Sequence, residues 1–319
     1  MSTRPSTESL FEQAVIYPDI DYRERLNALV GLDNHKSRMT KILSLLINPE
    51  GIKSWMKKFH PDAKLISNIV LRRPPLVILE GDIGSGKTEL ATCIGDVVAR
   101  QEGIDITLLP LSLSARGQGH VGEMTKLIST AFDHTIEKAG KLKNSSGKSK
   151  GALILLVDEA DALTQSRESN QMHHEDKAGV NAFIRGIDRI ANGKLPAAVI
   201  MCTNRLNSLD PAIKRRSADI LKFGRPNEEQ RLSVLKEALV ELGFTNDDIK
   251  DILSLTGKTK EREYGFTFSD LTQRLLPSLV LDAYPSEAVN PKKAKEIVSS
   301  IIPTPPFQDN NALFNGSSI

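Results

Sequence analysis

Apolar runs alternate with amphipathic stretches through the middle of the chain. Mostly apolar runs predict five strands, at residues 76–79, 106–111, 152–157, 199–203 and 220–223. Between them, apolar residues recur with helical spacing and predict helices at residues 87–100, 123–138, 177–190 and 211–215. Strands that alternate with helices are typical of a parallel sheet covered by helices on both faces. The pattern therefore predicts an α/β domain around a five-stranded parallel sheet.

The pattern changes after residue 226, where only helical spacing continues. The predicted helices, at residues 227–242, 247–255, 267–283 and 290–300, are enough for a small all-helical lid domain. We therefore expect an N-terminal arm at residues 1–21, a large α/β domain at 22–226, the lid at 227–302 and a flexible, proline-rich tail at 303–319.

Composition argues against several classes of protein. The 319 residues carry a formal net charge of only +2, which argues against a basic surface for nucleic acid. Cys93 and Cys202 fall in predicted core elements, so we expect buried, reduced thiols. No apolar run approaches the roughly 20 residues of a membrane helix, and the polar N-terminus lacks a signal pattern. We expect a soluble, cytoplasmic protein without a membrane partner.

A glycine-rich turn lies between the first predicted strand and the helix that follows it. It fits the G-x-x-x-x-G-K-[ST] motif in the strand–turn–helix context that the motif requires. In such a turn, main-chain N–H groups converge on phosphate oxygens, and the helix N-terminus attracts the same anion. Lys87 is expected to neutralise the β- and γ-phosphates of ATP, and Thr88 to bind Mg²⁺ through its hydroxyl. The predicted nucleotide site here comprises Gly81, Asp82, Ile83, Gly84, Ser85, Gly86, Lys87, Thr88 and Glu89.

Two acids follow the strand at residues 152–157, whose residues are all apolar. Carboxylates at the C-terminal end of a central parallel strand face the crevice where α/β sheets bind ligands. Asp158 is expected to hold Mg²⁺ through water, and Glu159 to polarise the water that attacks the γ-phosphate. The alternative is that both acids only cap the next helix.

Further candidate groups follow the next strand. Asn204, at its end, could hydrogen-bond the γ-phosphate and position the attacking water, although asparagine also commonly starts a turn. The short helix after Asp210 ends in Arg215 and Arg216. In a ring of subunits, one of these two guanidinium groups could reach the neighbour's nucleotide and stabilise transition-state charge. The alternative is a solvated basic cluster.

This order of parts resembles the AAA+ superfamily over residues 22–302. The resemblance implies that the segment Leu29, Val30 and Gly31 covers the adenine. The letters Asp-Glu-Ala-Asp at residues 158–161 also occur in helicases of the DEAD type, but those need a second large domain for which the chain lacks room.

Two loops match positions that project into the central pore of AAA+ unfoldases. In the first, Gly119 and Gly122 flank His120 and Val121, and the histidine stands where the superfamily has an aromatic residue. The second is a long polar loop that includes Met172, His173 and His174. The alternative for the first is an ordinary loop before a helix. Adjacent histidines rarely converge on one ion, so we expect no metal in the second loop.

A closer resemblance is to the pachytene checkpoint ATPase family, also called thyroid receptor interactor thirteen. The matching residues are Asp210, Ala212, Arg216, Ala218, Asp219, Ile220, Gly224 and Pro226. The chain departs from the pattern by one extra residue, Ser217, and by Leu271 at the position of the family's sensor arginine. Arg274, one turn later, is the candidate to replace that arginine.

The resemblance implies a hexameric ATPase whose pore loops engage and partly unfold a HORMA-domain protein. The short sequence before the glycine-rich turn suggests the compact bacterial branch, found in antiphage operons with a HORMA protein and a cyclic-oligonucleotide synthase. There the remodeller would dismantle the activated synthase complex and restrain signalling. Two other hypotheses stay open: a nucleic-acid factor of the clamp-loader or branch-migration kind, and a scaffold that binds ATP but barely hydrolyses it.

Overall fold

The computed structural model describes residues 10–113, 123–144, 148–163, 174–207, 209–260 and 262–307. Its chain divides into two compact units. The first comprises the described parts of Met1–Ala28, Asn34–Glu80 and Thr88–Lys222, and the second those of Leu29–Asp33, Gly81–Lys87 and Phe223–Ile319. The glycine-rich turn therefore groups with the helical C-terminal part rather than with the sheet.

A six-stranded sheet forms the centre of the first unit. In chain order its strands are β1 (Val15–Tyr17), β2 (Leu76–Gly81), β3 (Asp105–Ser112), β4 (Gly151–Asp158), β5 (Ala197–Thr203) and β6 (Ser217–Phe223). Their order in the sheet is β1-β3-β4-β5-β2-β6, and the pairs β3–β4, β4–β5 and β2–β5 are parallel. The predicted α/β class is confirmed, and the five predicted strands are all present.

One strand of the six, β1, was not predicted. β1 lies within the residues expected to form the N-terminal arm, and it pairs antiparallel with β3, Val15 opposite Leu108. The Tyr17 side chain is fully buried, and its hydroxyl donates to the main-chain oxygen of Thr92. The arm is thus held by main-chain pairing with β3 and by the buried side chains of Leu10, Phe11 and Tyr17.

All residues of β5, and those of β4 up to Val157, are buried, so both faces of the central strands are covered. The cover consists of helices. In the first unit they are α1 (Ile20–Ala28), α2 (Asp33–Ile47), α3 (Pro49–Phe59), α4 (Lys64–Val70), α5 (Lys87–Glu102), α6 (Glu123–Leu142), α7 (His174–Gly193) and α8 (Pro211–Lys214). Phe132 of α6 meets Phe183 of α7 edge to face, with ring centroids 5.4 Å apart. Cys93 and Cys202 are buried as predicted, and burial raises the pKa of the Cys93 thiol to about 12.

The second unit contains the C-terminal helices, which have their own core and which we call the lid after the predicted domain. Its elements are α9 (Glu228–Glu241), α10 (Asn246–Thr256), a π-helical stretch (Asp270–Leu275), α11 (Leu276–Ala283) and α12 (Pro291–Ser300). Capping boxes at Asn227 and Thr245 start α9 and α10 by satisfying main-chain N–H groups of their first turns. The buried side chains of Leu239, Ile252 and Phe266 lie at the centre of this core.

Thr304, within the residues expected to form the flexible tail, is hydrogen-bonded to the lid. The main-chain N–H and the hydroxyl of Thr304 donate to the buried Asp270 carboxylate, at 3.0 and 2.8 Å. These bonds span 34 residues, so helical periodicity carries no sign of them. Among the described residues, no helix is both long and apolar enough to cross a membrane.

Candidate functional site

The glycine-rich turn is shaped by its main chain. Gly81, Gly84 and Gly86 have φ values of +153°, +74° and +92°, which side-chain-bearing residues rarely adopt. A Cβ on Gly81 would lie 2.0 Å from the main-chain oxygen of Phe223. Turns of this kind direct successive N–H groups into one anion-binding concavity. The observed backbone therefore fits the predicted phosphate cradle.

Lys87 begins α5 and folds back over this turn. Its ammonium donates to the main-chain oxygens of Gly81 and Asp82, both at 2.8 Å, and only 7% of the residue is exposed. A positive charge held over the concavity can neutralise phosphate oxygens. The predicted role of Lys87 therefore fits its position.

Arg225 supports the turn from the C-terminal side. Its Nε donates to the Asp82 carboxylate at 2.9 Å, and its other nitrogens donate to the main-chain oxygens of Gly265 and Thr304, both at 2.7 Å. The guanidinium also lies 4.9 Å from the centroid of the Tyr264 ring. Sequence reasoning missed this residue, because its partners are 143, 40 and 79 residues away.

The segment predicted to cover the adenine lies in the same unit as the turn. Gly31 has a φ of +79°, and its main-chain oxygen accepts a hydrogen bond from Gln230 at 2.7 Å. Leu32 is buried, and a Cβ on Gly86 would lie 3.1 Å from its Cδ1. The contact with adenine stays a prediction for Leu29, Val30 and Gly31.

In the first unit, four polar residues gather at the C-terminal ends of β4 and β5, and we call them the carboxyl edge: Asp158, Glu159, Asp161 and Asn204. The Thr88 hydroxyl donates to Asp158 at 3.3 Å, so the two groups predicted to bind Mg²⁺ are neighbours. Hydroxyl and carboxylate oxygens suit this hard cation, so the residues present fit it. Glu159 is exposed and has a φ of +51°, an uncommon conformation for a residue with a side chain.

Asp161 joins the ends of the two strands. It lies in a short 3₁₀ helix (Ala160–Leu163), and its carboxylate accepts hydrogen bonds from the Thr203 hydroxyl at 2.6 Å and the Asn204 main-chain nitrogen at 2.9 Å. The Asn204 side-chain amide donates to the other carboxylate oxygen at 3.1 Å. Sequence reasoning named Asn204 but gave Asp161 no role. Its place two residues after Glu159 was the available signal.

A cavity of about 390 Å³ adjoins the carboxyl edge. Thr88, Asp158 and Glu159 line it together with Arg25 of α1. Arg25 donates two 2.8 Å hydrogen bonds to the Glu89 carboxylate. These bonds from Arg25 hold the pKa of Glu89 below its usual range. Glu89, predicted to lie at the nucleotide, is thus bound to Arg25. A larger cavity of about 540 Å³, near Asn48 and the start of β5, includes none of the motif residues.

The two arginines after α8 differ in their surroundings. Arg216 makes two bonds to the Asp188 carboxylate of α7, at 2.8 and 3.1 Å, and this partner raises its pKa further. Arg216 also donates to the main-chain oxygen of Ala212 at 3.2 Å. Arg215 is exposed, and its Nε makes one long bond, 3.3 Å, to the main-chain oxygen of Pro211.

Comparison with known proteins gives the family. The family described as "ATPase family associated with various cellular activities (AAA)" matches residues 77–225. CD-NTase-associated protein 6 of Escherichia coli (strain MS 115-1) is 62% identical over 309 residues, which cover 97% of this chain and 99% of that protein. This chain belongs to the AAA ATPases of the Trip13 type.

Two solved structures support the assignment of this AAA ATPase to the Trip13 type. One is the E. coli MS115-1 HORMA:CdnC:Trip13 complex, with 60% identity, a TM-score of 0.89, and coverage of 96% of this chain and 100% of that one. The other is a Rhizobiales Trip13, with 54% identity, a TM-score of 0.73, and coverage of 93% and 100%. The resemblance to the thyroid receptor interactor thirteen family is therefore confirmed.

In the lid of this AAA ATPase, Leu271 is the residue predicted to stand where the family has its sensor arginine. Leu271 is fully buried in the lid core. Arg274 donates to the Asp270 carboxylate and to the main-chain oxygen of Ile302, both at 2.9 Å. These are contacts within the lid, and a role for Arg274 at the nucleotide stays a prediction.

The predicted pore loops of this AAA ATPase fall mainly on residues that the structure does not describe. Gly119, His120, Val121, Gly122, Met172 and His173 lie outside the described residues. His174 is the first residue of α7, and its side chain lies outside them as well. Their role in gripping a peptide stays a prediction.

Proposed function

We propose that this AAA ATPase forms a hexameric ring and uses ATP hydrolysis to remodel a HORMA-domain protein. One observation carries the proposal: the chain matches, over nearly all of both lengths, the Trip13 chain of a HORMA:CdnC:Trip13 complex with a TM-score of 0.89. The same likeness, and the name CD-NTase-associated protein 6, support a second partner. This partner is a cyclic-oligonucleotide synthase bound to the HORMA protein.

ATP is the substrate, and we assign the two parts of the site different tasks. The glycine-rich turn and Lys87 bind the phosphates, since the turn offers main-chain N–H groups and the ammonium offers charge. Thr88 and Asp158 would hold Mg²⁺, which would neutralise phosphate charge. Glu159 polarises the attacking water, and Asn204 orients that water against the γ-phosphate. The exposure of Glu159 supports its part, because its carboxylate is accessible to water.

We assign the trans-acting arginine to Arg215. Its side chain is exposed and has a single long hydrogen bond, so it can reorient towards a neighbouring subunit at little cost. Arg216 is held by Asp188 within its own subunit, and moving it would break two charge-assisted bonds. Arg216 would then have a structural role, because its bonds to Asp188 and Ala212 join α7 to α8. Hydrolysis in one subunit would depend on the position of the next.

The residues at 119–122 and 172–174 are proposed to grip the client in the central pore. Movement of these loops during the ATP cycle would pull on a segment of the HORMA protein and partly unfold it. Release of the HORMA protein would separate it from the synthase and restrain antiphage signalling.

A trapped variant tests the proposal. Glu159→Gln should bind ATP and hydrolyse it very slowly, so it should hold its client. The tagged variant is expressed in the native cell and purified with ATP, and co-purifying proteins are identified by mass spectrometry. Lys87→Ala is the matched control, because it should fail to bind ATP and recover no client. A HORMA protein recovered with the trap, together with a nucleotidyltransferase, is the expected result. A sliding clamp or nuclease-sensitive DNA would instead move the chain to the nucleic-acid factors.

A further inference from the structure

Three acids within four residues have three different environments at the carboxyl edge. Asp158 accepts from Thr88, Glu159 is exposed, and Asp161 is turned towards β5. Glu159 lies between the end of β4 and the 3₁₀ helix that carries Asp161, and it has an uncommon positive φ of +51°. The Asp158 carboxylate stabilises the turn by accepting the Glu159 main-chain N–H at 2.9 Å.

The bonds to Asp161 determine how the Asn204 amide is presented. An asparagine amide carries two N–H donors and one carbonyl acceptor. One donor is held by Asp161 at 3.1 Å, and the carboxylate charge keeps the amide oxygen turned away from it. The remaining donor and the oxygen can then serve a phosphate oxygen and a water. The main chain of Asn204 is fixed by the same carboxylate at 2.9 Å.

We propose that Asp161 is a positioning residue that sets the Asn204 amide relative to Glu159 for ATP hydrolysis. It does not touch the nucleotide; its carboxylate, two residues after Glu159, holds both the main chain and the side-chain amide of Asn204. This inference rests on the proposed part of Asn204 in hydrolysis. The further step is that the Asn204 side-chain amide supports hydrolysis only in the orientation that Asp161 imposes.

Asp161→Asn tests this with a minimal change. The new side chain keeps its size, and its oxygen can still accept from the Thr203 hydroxyl and the Asn204 main chain. Its NH₂ group, however, would face the NH₂ group of Asn204. The Asn204 amide must turn over, which exchanges donor and acceptor at the reacting groups. The kcat for ATP should fall about 10- to 100-fold, the scale of a small misplacement of reacting groups. KM and the affinity for a fluorescent ATP analogue should stay within about twofold.

The pairing is tested with a double variant in the full-length protein. Asn204→Ala alone should lower kcat, and Asp161→Asn added to it should lower kcat no further, because its effect passes through the amide. The matched control is Asp133→Asn, which removes an exposed carboxylate that accepts from Arg189 at 2.5 Å on α6 and α7. Its kcat should equal that of the wild type. A thermal midpoint for each variant verifies folding.

Each outcome has a distinct meaning. If Asn204→Ala is slow and Asp161→Asn hydrolyses ATP like the wild type, the positioning role is overturned and the role of Asn204 stands. It is equally overturned if the two losses multiply in the double variant. If Asn204→Ala itself is as fast as the wild type, the proposed part of Asn204 fails instead. Should Asp161→Asn not fold, Asp161→Ser replaces it, since a short hydroxyl cannot reach the amide; wild-type kcat in that variant also overturns the inference.

Discussion

The glycine-rich turn and the carboxyl edge are built by different means. The turn owes its shape to main-chain torsions that glycine permits, at Gly81, Gly84 and Gly86. The edge owes its shape to side-chain hydrogen bonds that join two strands through Asp161. A short motif can specify the first because the required backbone demands particular residues at fixed spacing. The second depends on which strands become neighbours, and no motif states that.

The largest expected effect separates binding from hydrolysis. Lys87→Ala should abolish ATP binding and hydrolysis together, because the phosphates lose their charged partner. Glu159→Gln should retain binding and lower kcat by about 10²- to 10⁴-fold, the usual contribution of a general base. A fluorescent ATP analogue measures binding, and phosphate release measures turnover. Loss of binding in both variants would contradict the division of tasks between turn and edge.

The two arginines extend the comparison to a neighbouring subunit. Arg215→Ala should lower kcat by about 10³-fold with ATP binding intact, as for other arginines acting in trans. Arg216→Ala should have a smaller effect on kcat, and it should lower the free energy of unfolding by about 0.2–1 kcal/mol, because its half-exposed ion pair with Asp188 is screened by solvent.

A mixing experiment distinguishes action in trans from action within one subunit. Arg215→Ala subunits retain Glu159, and Glu159→Gln subunits retain Arg215, so a mixed ring contains some complete sites. Phosphate release by the mixture should exceed that of either variant alone. If mixing gives no gain, Arg215 does not act in trans: it either serves the site of its own subunit or takes no part in hydrolysis.

Sequence patterns were sufficient for the elements with strong periodicity. The five predicted strands and the lid helices match within a few residues, because buried strands and amphipathic helices leave a clear apolar pattern. In β6 only Phe223 is buried, and the prediction covers just the C-terminal part of that strand. β1 was missed because three residues are too few to show alternation, and only Tyr17 of them is buried. Thr304 was assigned to a tail because its partner, Asp270, lies 34 residues earlier.

The residues of the candidate site also fall into those that short motifs predict and those that depend on contacts between distant parts of the chain. Lys87, Thr88, Asp158 and Glu159 follow from motif spacing. The spacing after Glu159 could have pointed to Asp161 but not to its partners on β5, and nothing in the spacing pointed to Arg225, because these contacts join distant parts of the chain. Arg215 and Arg216 are adjacent in sequence and equal in charge. Asp188, 28 residues before Arg216, makes the difference between them.

A stability measurement tests whether the turn depends on its backbone. Gly81→Ala should lower the free energy of unfolding by more than about 3 kcal/mol, because the new Cβ would lie 2.0 Å from the Phe223 oxygen. Gly140→Ala is the matched control, because a Cβ added to this exposed glycine of α6 would meet nothing within 4 Å beyond its chain neighbours and the backbone of its own helix. It should raise stability by about 0.5–1 kcal/mol. Equal urea midpoints for the two variants would contradict a turn defined by its main chain.

Asp270 is a buried carboxylate that, like Asp161, accepts several hydrogen bonds. Burial alone would raise the pKa of Asp270, but bonds from Thr267 and Thr304 outweigh it and hold the pKa below its usual range. A lowered pKa in the folded state stabilises the protein above the unfolded value of about 3.9, and this contribution is lost as pH falls through the folded pKa.

Removing one of these donors should therefore matter most near neutral pH. Thr304→Val should lower the free energy of unfolding by about 1 kcal/mol at pH 7, since it deletes a 2.8 Å bond to a buried carboxylate. The deficit should shrink as pH falls below about 3.9, because a protonated Asp270 gains less from that donor. Thr272→Val is the control, as its exposed hydroxyl donates only to the main-chain oxygen of Phe268. Urea unfolding across the acid range measures both, and a deficit for Thr304→Val that stays constant with pH would show that the hydroxyl acts through packing rather than through the charge of Asp270.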